Sequence, residues 1–222
     1  LEINNSVTDS TTITILPYLP VPYQLGDSGY TGDFETSPEH FASYTVQGTG
    51  IQRGSSTKPG KDGTFSGTSA WVLGINDNLY QNNTRAEFYT PMYDLSEPGL
   101  YELKFWCKFA IQNPHDGFQV EYSTNGGASW IQLGTRDNPN WYNYYNANRA
   151  DGAFPMGKSY FTNAQLTWTQ YIKDISFLTG STTVSFRYIF RSDDEEQAQG
   201  FAIDNFEITR YEGELETNVT VF

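Results

Sequence analysis

The stretch LYELKFWCKFA, residues 100–110, decides the fold predicted for this chain. Its apolar side chains recur at every second position, the period of a β-strand. One face carries Leu103, Phe105, Cys107 and Phe109, and the other carries Glu102, Lys104, Trp106 and Lys108. This alternation is typical of a strand that buries one face against a second sheet. Cys107 is therefore interpreted as a core residue.

Similar patterns recur along the chain at short spacing. The clearest strand candidates are 117–123, 182–190 and 200–208, and the weaker ones are 69–74, 85–90, 130–133 and 169–175. Clusters of Gly, Asn, Asp and Ser separate them, and no segment keeps a helical period. Aromatic residues make up 16% of the chain, and 20 Gly and 10 Pro supply turns. The sequence therefore predicts an all-β protein, a two-sheet antiparallel β-sandwich of the jelly-roll type with little or no helix.

Charge and composition narrow the function. The formal net charge of −13 would repel nucleic acid and anionic membranes, so neither is an expected partner. No apolar run is long enough to insert into a membrane. A single cysteine allows neither an internal disulfide nor a thiolate zinc site, and the two histidines lie far from it in sequence. No nucleophile–base pair or phosphate loop stands at a recognisable spacing, so the prediction is that the chain is not an enzyme.

Three segments are predicted. Residues 1–31 form an N-terminal strand and linker, with a strand candidate at 11–16 and a weak match to an O-glycosylation pattern at 9–11. Residues 32–211 form the β-sandwich module, and 212–222 are a tail or the start of a following domain. Since the chain begins at Leu1, we expect a mature fragment or an excised domain of a longer protein.

The stretch STNGGASW, residues 123–130, nearly matches the Asp-box of sialidase-like propellers, with Asn125 at the position of Asp. A propeller needs several boxes, and this chain has one. The stretch is therefore interpreted as a β-hairpin in which the Asn-Gly or Gly-Gly step takes positive φ. Trp130 is expected to fold back onto the strands.

Asp204, in FAIDNFEI, is the residue that most suggests a metal site. It is expected to share a strand face with Ala202, Phe206 and Ile208, where an ionised carboxylate is costly unless it is compensated. One interpretation is a bulge or a loop hydrogen bond; the other is a bound Ca²⁺, which prefers oxygen ligands. The first strand of the module offers acidic groups in GDFET, residues 32–36, and in a jelly roll it can neighbour the last strand.

Other polar and aromatic clusters suggest ligands. The segment NPNWYNYYNANR, residues 138–149, combines rings with amide side chains, as carbohydrate sites do. Its candidate ligand-binding residues are Trp141, Tyr142, Tyr144, Tyr145 and Arg149. Alternatively, Trp141 and one or two tyrosines close over the edge of the sandwich. Trp106, Lys104 and Asp151 are further candidates, and the acidic run 191–199 is a solvated loop or a second cation site.

The order of several short motifs carries a family resemblance over residues 32–210. They include GDFE (32–35), FSGTSAWVLG (65–74), DGFQVEYSTNGGASWIQLG (116–134) and GFAIDNFEI (200–208). In this order they resemble jelly-roll modules of bacterial secreted and surface proteins, similar to MAM-like, carbohydrate-binding-module-like and cleaved-adhesin-type domains exported by the type IX route. The resemblance implies a structural Ca²⁺ that joins the first strand to the last.

The resemblance also implies the ligands of that ion. They are the side chains of Glu35 and Asp204 and the backbone carbonyls of Asp33, Ser66 and Ser69. Related modules often have a second Asp after the AID motif, whereas this chain has Asn205. That difference concerns a secondary ligand only.

The expected function is that of a non-catalytic, calcium-stabilised binding or adhesion module of a larger secreted or cell-surface bacterial protein. Its expected partners are a glycan or a surface protein, together with other domains of the parent protein. The alternative is a structural spacer or accessory domain of a secreted peptidase or glycoside hydrolase. A stand-alone glycoside-active enzyme is a third interpretation, because a carboxylate pair on strands need not form a motif.

Overall fold

The computed structural model describes residues 22–25, 29–36 and 40–212. Strands dominate this part of the chain, which contains no α-helix; a three-residue 3₁₀ turn spans Ser176–Leu178. The strands, in chain order, are β1 (Tyr23–Gln24), β2 (Tyr30–Gly32), β3 (Ala42–Gln47), β4 (Ile51–Gly54), β5 (Ala70–Leu73), β6 (Arg85–Tyr89), β7 (Tyr93–Asp94), β8 (Leu100–Ile111), β9 (Gly117–Ser123), β10 (Ile131–Gln132), β11 (Tyr144–Tyr145), β12 (Ser159–Tyr160), β13 (Asn163–Asp174), β14 (Ser185–Arg191) and β15 (Gly200–Tyr211). The predicted all-β class is confirmed.

Two antiparallel sheets form a jelly-roll sandwich. The six-stranded sheet has the order β13-β8-β15-β5-β4, with β2 also paired to β15, and the five-stranded sheet has the order β10-β9-β14-β6-β3. The chain passes repeatedly from one sheet to the other, so neighbouring strands in a sheet are mostly distant in sequence. A parallel pair, β1 with β7, lies outside both sheets.

Strand β8 packs in the way that its sequence predicts. Leu103, Phe105 and Cys107 are fully buried in the main hydrophobic core. From the facing sheet, Tyr188 of β14 meets the ring of Phe105 edge-on at 5.1 Å between centroids. Such aromatic contacts between β8 and β14 hold the two sheets together.

The N-terminal boundary of the module differs from the predicted one. Strand β2 crosses the position predicted for the boundary, residue 32, and pairs with β15 through Phe206 opposite Gly32 and Ile208 opposite Tyr30. Tyr30 is buried in the main core, which explains why the sandwich includes it. The first and last strands of the sandwich are therefore neighbours, as predicted. The strand candidate at 11–16, the glycosylation pattern at 9–11 and the tail after residue 212 lie outside the described residues.

The near-match to an Asp-box is a hairpin between β9 and β10, with Ile131 opposite Tyr122. Gly126 and Gly127 take φ of 67° and 84°, as the turn requires. Asn125 Oδ1 accepts hydrogen bonds from the Ser123 hydroxyl at 2.8 Å and the Ser129 amide at 3.0 Å. The predicted hairpin is thus confirmed.

Trp130 follows the turn and reaches beyond its own hairpin. Its ring lies 4.7 Å from the Arg187 guanidinium of β14 and 5.8 Å from the ring of Tyr89 on β6. It covers charged side chains on the outer face of the five-stranded sheet.

No helix in the described residues has the length and apolar character that crossing a membrane would need.

Candidate functional site

A bulge in β15 determines where Asp204 points. The register against β8 shifts between Asp204 and Glu207, and Asn205 has a positive φ of 46°. Phe206 and Ile208 therefore belong to the main core, whereas Ala202 packs in a separate small cluster on the outer face of the six-stranded sheet. The expectation that Asp204 shares a face with Phe206 and Ile208 was wrong, because it assumed an unbroken alternation.

Asp204 is nevertheless fully buried, because the segment before β5 covers it. Its Oδ2 accepts hydrogen bonds from the backbone amides of Phe65 at 2.8 Å and Ser66 at 3.1 Å. The Ser66 hydroxyl also donates to the side chain of Asn205 at 2.8 Å. The bulge and the loop hydrogen bonds, one of the two interpretations of Asp204, are both present.

Glu35 binds the same loop from the other end of the module. Its Oε1 accepts from the backbone amides of Thr68 at 2.9 Å and Ser69 at 2.6 Å, and its Oε2 accepts from the Thr68 hydroxyl at 3.0 Å. Residues 64–69, which we call the bridging loop, therefore contact both candidate carboxylates. Asp33 instead caps its own turn, accepting from the amides of Glu35 and Thr36.

The electrostatics of the two carboxylates differ. Burial raises the pKa of Asp204 to about 6, against the lowering effect of the loop amides, and the nearby charge of Glu35 raises it further. The hydrogen bond from the amide of Thr68 lowers the pKa of Glu35, which is exposed. The pair is therefore repulsive when both groups are ionised, and a cation near them would relieve that repulsion.

The residues present fit a calcium ion in type. Two carboxylates from opposite ends of the module converge on one loop, and the loop has backbone carbonyls at Ser66 and Ser69. Within the described ranges, no cluster of three or more His, Cys, Asp or Glu side chains could hold a metal. A cation would thus need backbone oxygens to complete the six to eight ligands that Ca²⁺ takes.

The aromatic segment at 138–149 splits into a buried half and an exposed half. Trp141 and Tyr142 are 4% and 3% exposed and belong to the main core. The Trp141 indole donates to the carbonyl of Leu133 at 2.8 Å, and the Tyr142 hydroxyl bonds the backbone of Val120. Neither ring offers a stacking platform for a ligand, because each is almost entirely covered, and the alternative that they close over the edge of the sandwich fits both.

The other three predicted ligand residues lie nearer the surface. Tyr144 is half-buried against the ring of Tyr160 at 5.2 Å. Arg149 is held by His115 Nε2 at 2.8 Å and by Asp151 at 3.5 Å. Tyr145 is 44% exposed. Of the five, Tyr145 therefore offers the most ring surface to a ligand.

Tyr145 lines a surface cavity of about 390 Å³, which we call the Tyr145 cavity. Its other lining residues come from a loop after β10 and from the start of β12 with the turn before it: Thr135, Arg136, Asp137, Gly157 and Ser159. This volume lies within the roughly 300–1,000 Å³ of small-molecule sites. Arg136 and Asp137 were not predicted from the sequence, since neighbouring charges in a loop carry no pattern.

A buried amide network fixes the floor of this cavity. Gln119, 1% exposed, donates to Gln132 Oε1 at 2.9 Å and to the carbonyl of Ser159 at 2.7 Å. The Ser159 hydroxyl in turn accepts from the amide of Arg136 at 3.1 Å. Asn146, fully buried, ties the segment after Tyr145 to the carbonyls of Arg149 and Phe154. The walls are thus pre-organised rather than free loops.

The remaining sequence candidates are engaged in structural contacts. Trp106 stacks under Phe65 of the bridging loop, with ring centroids 3.7 Å apart. Lys104 donates to the hydroxyls of Thr209 and Tyr211. Cys107 is a buried core residue, as predicted, and burial raises the pKa of its thiol well above the ordinary value.

Several solved domain structures are similar in fold. The K1 cleaved adhesin domain of Lys-gingipain from Porphyromonas gingivalis W83 has 16% identity, a TM-score of 0.48, and coverage of 83% of this chain and 99% of that one. TmCBM61, solved in complex with β-1,4-galactotriose, has 13% identity, a TM-score of 0.45, and coverage of 84% and 97%. The CBM22-1 xylan-binding domain of Paenibacillus barcinonensis Xyn10C has 9% identity, a TM-score of 0.42, and coverage of 86% and 99%.

The sequence was compared with curated proteins and with protein families. No curated protein matches the chain. The profile of the family described as Reelin subrepeat B matches residues 70–209, which is more than half of the 222 residues and includes β5 to β15 up to Thr209. The chain therefore belongs to the Reelin subrepeat B family.

Proposed function

We propose that this chain is a non-catalytic glycan-binding module and that the Tyr145 cavity is its binding site. The observation that carries the proposal is the exposed ring of Tyr145 at a pre-organised cavity. The lining also includes the guanidinium of Arg136, the carboxylate of Asp137 and hydroxyl groups. A pyranose has one apolar face and a rim of hydroxyls. The ring of Tyr145 would cover the apolar face, while Arg136 and Asp137 would bond hydroxyls through paired donors and acceptors.

We also propose that Ca²⁺ stabilises the module between Glu35 and Asp204. The ion would join the segment after β2 to β15 through the bridging loop, with carbonyls such as those of Ser66, Ser69 and Asp33 as further ligands. The support is the convergence of two like-charged groups on one loop. The loop amides already compensate Asp204 in part, so the ion would add to an existing polar network.

The wider setting of the module remains part of the proposal. A module that binds glycans without catalysis would serve adhesion or targeting. Its parent would be a secreted or cell-surface bacterial protein, exported by a route such as type IX secretion. A surface protein is the second partner class. The other candidate function, a spacer for a catalytic domain of the parent protein, is separated from glycan binding by the following experiment.

A glycan array of neutral and acidic glycans tests the binding site. We expect the wild type to retain a defined set and Tyr145→Ala to bind that set at least tenfold more weakly, which corresponds to about 1.4 kcal/mol. Tyr211→Ala is a matched control, since Tyr211 is also 44% exposed but lies on the six-stranded sheet. It should bind like the wild type.

Three outcomes would contradict the proposal. Equal retention by Tyr145→Ala and the wild type would remove the Tyr145 cavity from recognition. Retention of no glycan by the wild type would favour the spacer, and turnover of a bound polysaccharide by the isolated chain would revive the enzyme interpretation.

A further inference from the structure

A second surface cavity lies beside the edge strand β13. It has a volume of about 560 Å³ and opens between this strand and residues 139–141. The same loop contributes Arg136 and Asp137 to the Tyr145 cavity, so the two cavities share one loop while using different side chains. We call the second one the β13 cavity.

The lining of the β13 cavity is polar but uncharged. Side-chain amides come from Asn140, Gln165 and Gln170, a hydroxyl comes from Thr169, and Trp141 and Tyr171 form an aromatic part of the wall. None of its described lining residues carries a charge. This sets it apart from the Tyr145 cavity, where Arg136 and Asp137 are both present.

Two of these amides are free to bind a ligand. Asn140 and Gln170 are exposed, and no hydrogen bond to their side chains is found within residues 22–25, 29–36 and 40–212. Each amide offers two donors and an acceptor, which matches the mixed donor and acceptor character of sugar hydroxyls. An ionic ligand would find no counter-charge in this lining.

The shape of the cavity is built into the fold. The register of β13 against β8 is interrupted between Gln165 and Thr169, a bulge that separates two of the lining residues. On the opposite wall, Trp141 is fixed by its bond to Leu133 and by an edge-on contact with Phe105 at 5.8 Å. Asn140 takes a positive φ of 51°, a conformation that Asn tolerates well. A ligand would therefore meet walls that need little rearrangement.

We propose that the β13 cavity binds an uncharged saccharide unit, as a second sugar site of this module. The proposal rests on the proposed glycan-binding function and extends it to a separate surface. The amides of Asn140 and Gln170 bond the sugar hydroxyls, and the exposed aliphatic side chain of Ile172 forms the apolar part of the contact, while the buried rings of Trp141 and Tyr171 support the wall from behind.

Amide chemical-shift mapping with neutral tetrasaccharides of xylose, galactose and glucose tests the site. At least one of the three should shift the side-chain amide signals of Gln170 and Asn140. The same titration should give at least fivefold weaker binding at this site in Gln170→Ala. Gln52→Ala is the matched control, an exposed glutamine on β4 at the other edge of the same sheet, and it should change nothing.

The titration is repeated with Tyr145→Ala so that the two sites are judged separately. Shifts at Gln170 that persist in Tyr145→Ala support the β13 cavity even if the Tyr145 cavity fails. Shifts confined to the Tyr145 cavity overturn the second site and leave the proposed function intact. Absence of shifts at Gln170 with all three tetrasaccharides also overturns it, whatever the array shows with other glycans.

Discussion

A buried tyrosine needs a hydrogen-bond partner for its hydroxyl as well as space for its ring, and this core contains several buried tyrosines. The chain has 16 tyrosines, and the ring of Tyr188 on β14 lies in the main core. A strand pattern says nothing about the hydroxyl, because its partner comes from a distant strand or loop. Tyr142 shows the favourable case, since its hydroxyl bonds both the amide and the carbonyl of Val120 at 2.9 Å.

Tyr188→Phe should stabilise the protein. Tyr188 is fully buried, and its hydroxyl has no hydrogen-bond partner among the described residues, so the substitution removes a desolvated polar group without opening a cavity. We expect a gain of about 1 kcal/mol in the free energy of unfolding, measured by urea denaturation. Tyr142→Phe is the control and should lose about 1–3 kcal/mol. Equal losses in both variants would contradict this account.

The second residue-scale prediction concerns Asp116, which sequence analysis did not single out. It is fully buried and accepts hydrogen bonds from the Tyr80 hydroxyl at 2.6 Å and the Asp193 amide at 2.8 Å, beside the His115–Asp193 pair. Burial raises its pKa to about 6. Because this folded-state pKa lies above the unfolded value, the folded state binds more protons between pH 4 and 6.

Asp116→Asn should therefore change the pH dependence of stability. As the pH falls from 7 to 4, the wild type should gain roughly 2–3 kcal/mol relative to the variant, with little relative change above pH 7 or below pH 3. Urea denaturation of both proteins across this range gives the difference. Parallel stability curves from pH 7 to pH 4 would show that Asp116 does not titrate as its burial requires.

At the scale of the element, β15 shows which features of a strand an alternating sequence pattern predicts and which it does not. The pattern correctly predicts a strand at 200–208, and the jelly-roll topology correctly pairs it with the first strand. The sequence alone does not decide whether β15 has a bulge at Asn205, because a single residue at positive φ barely changes a pattern of period two. That bulge moves Asp204 from the core to the outer face, under the bridging loop.

The calcium proposal is tested at this same element. We expect EDTA to lower the melting temperature of the wild type, because the ion would join β15 to the segment after β2, and Asp204→Ala to abolish that sensitivity. Asp62→Ala is the control, since Asp62 anchors the preceding segment to Lys108 at 2.8 Å without contacting Asp204 or Glu35. It should lower the melting temperature yet keep the response to EDTA. Equal wild-type melting curves with and without EDTA, measured by differential scanning calorimetry, would refute the calcium site.

For the whole molecule, the sandwich follows from many short patterns that agree. The alternation in β8, β9 and β14 predicts sheets with one buried face, and the absence of helical periods excludes other classes. The candidate site was harder to predict, because it is made of loops whose neighbours are distant in sequence. Trp141 and Tyr142 are buried through Leu133 and Val120, contacts that no local pattern reveals, whereas Tyr145, a few residues later, faces solvent.

The last prediction tests whether the two sheets unfold as one unit. Phe105 of β8 contacts Tyr188 of the other sheet at 5.1 Å, Tyr171 of β13 at 5.5 Å and Trp141 of the loop at 5.8 Å. Phe105→Ala should therefore cost about 3–5 kcal/mol, and far-UV and near-UV circular dichroism should report one coincident urea transition. Phe177→Ala, at a ring that is 59% exposed, should change the free energy of unfolding by less than about 1 kcal/mol. Two separated transitions in the wild type would mean that this aromatic layer does not couple the sheets, and the wall that Trp141 contributes to the β13 cavity would lose its structural basis.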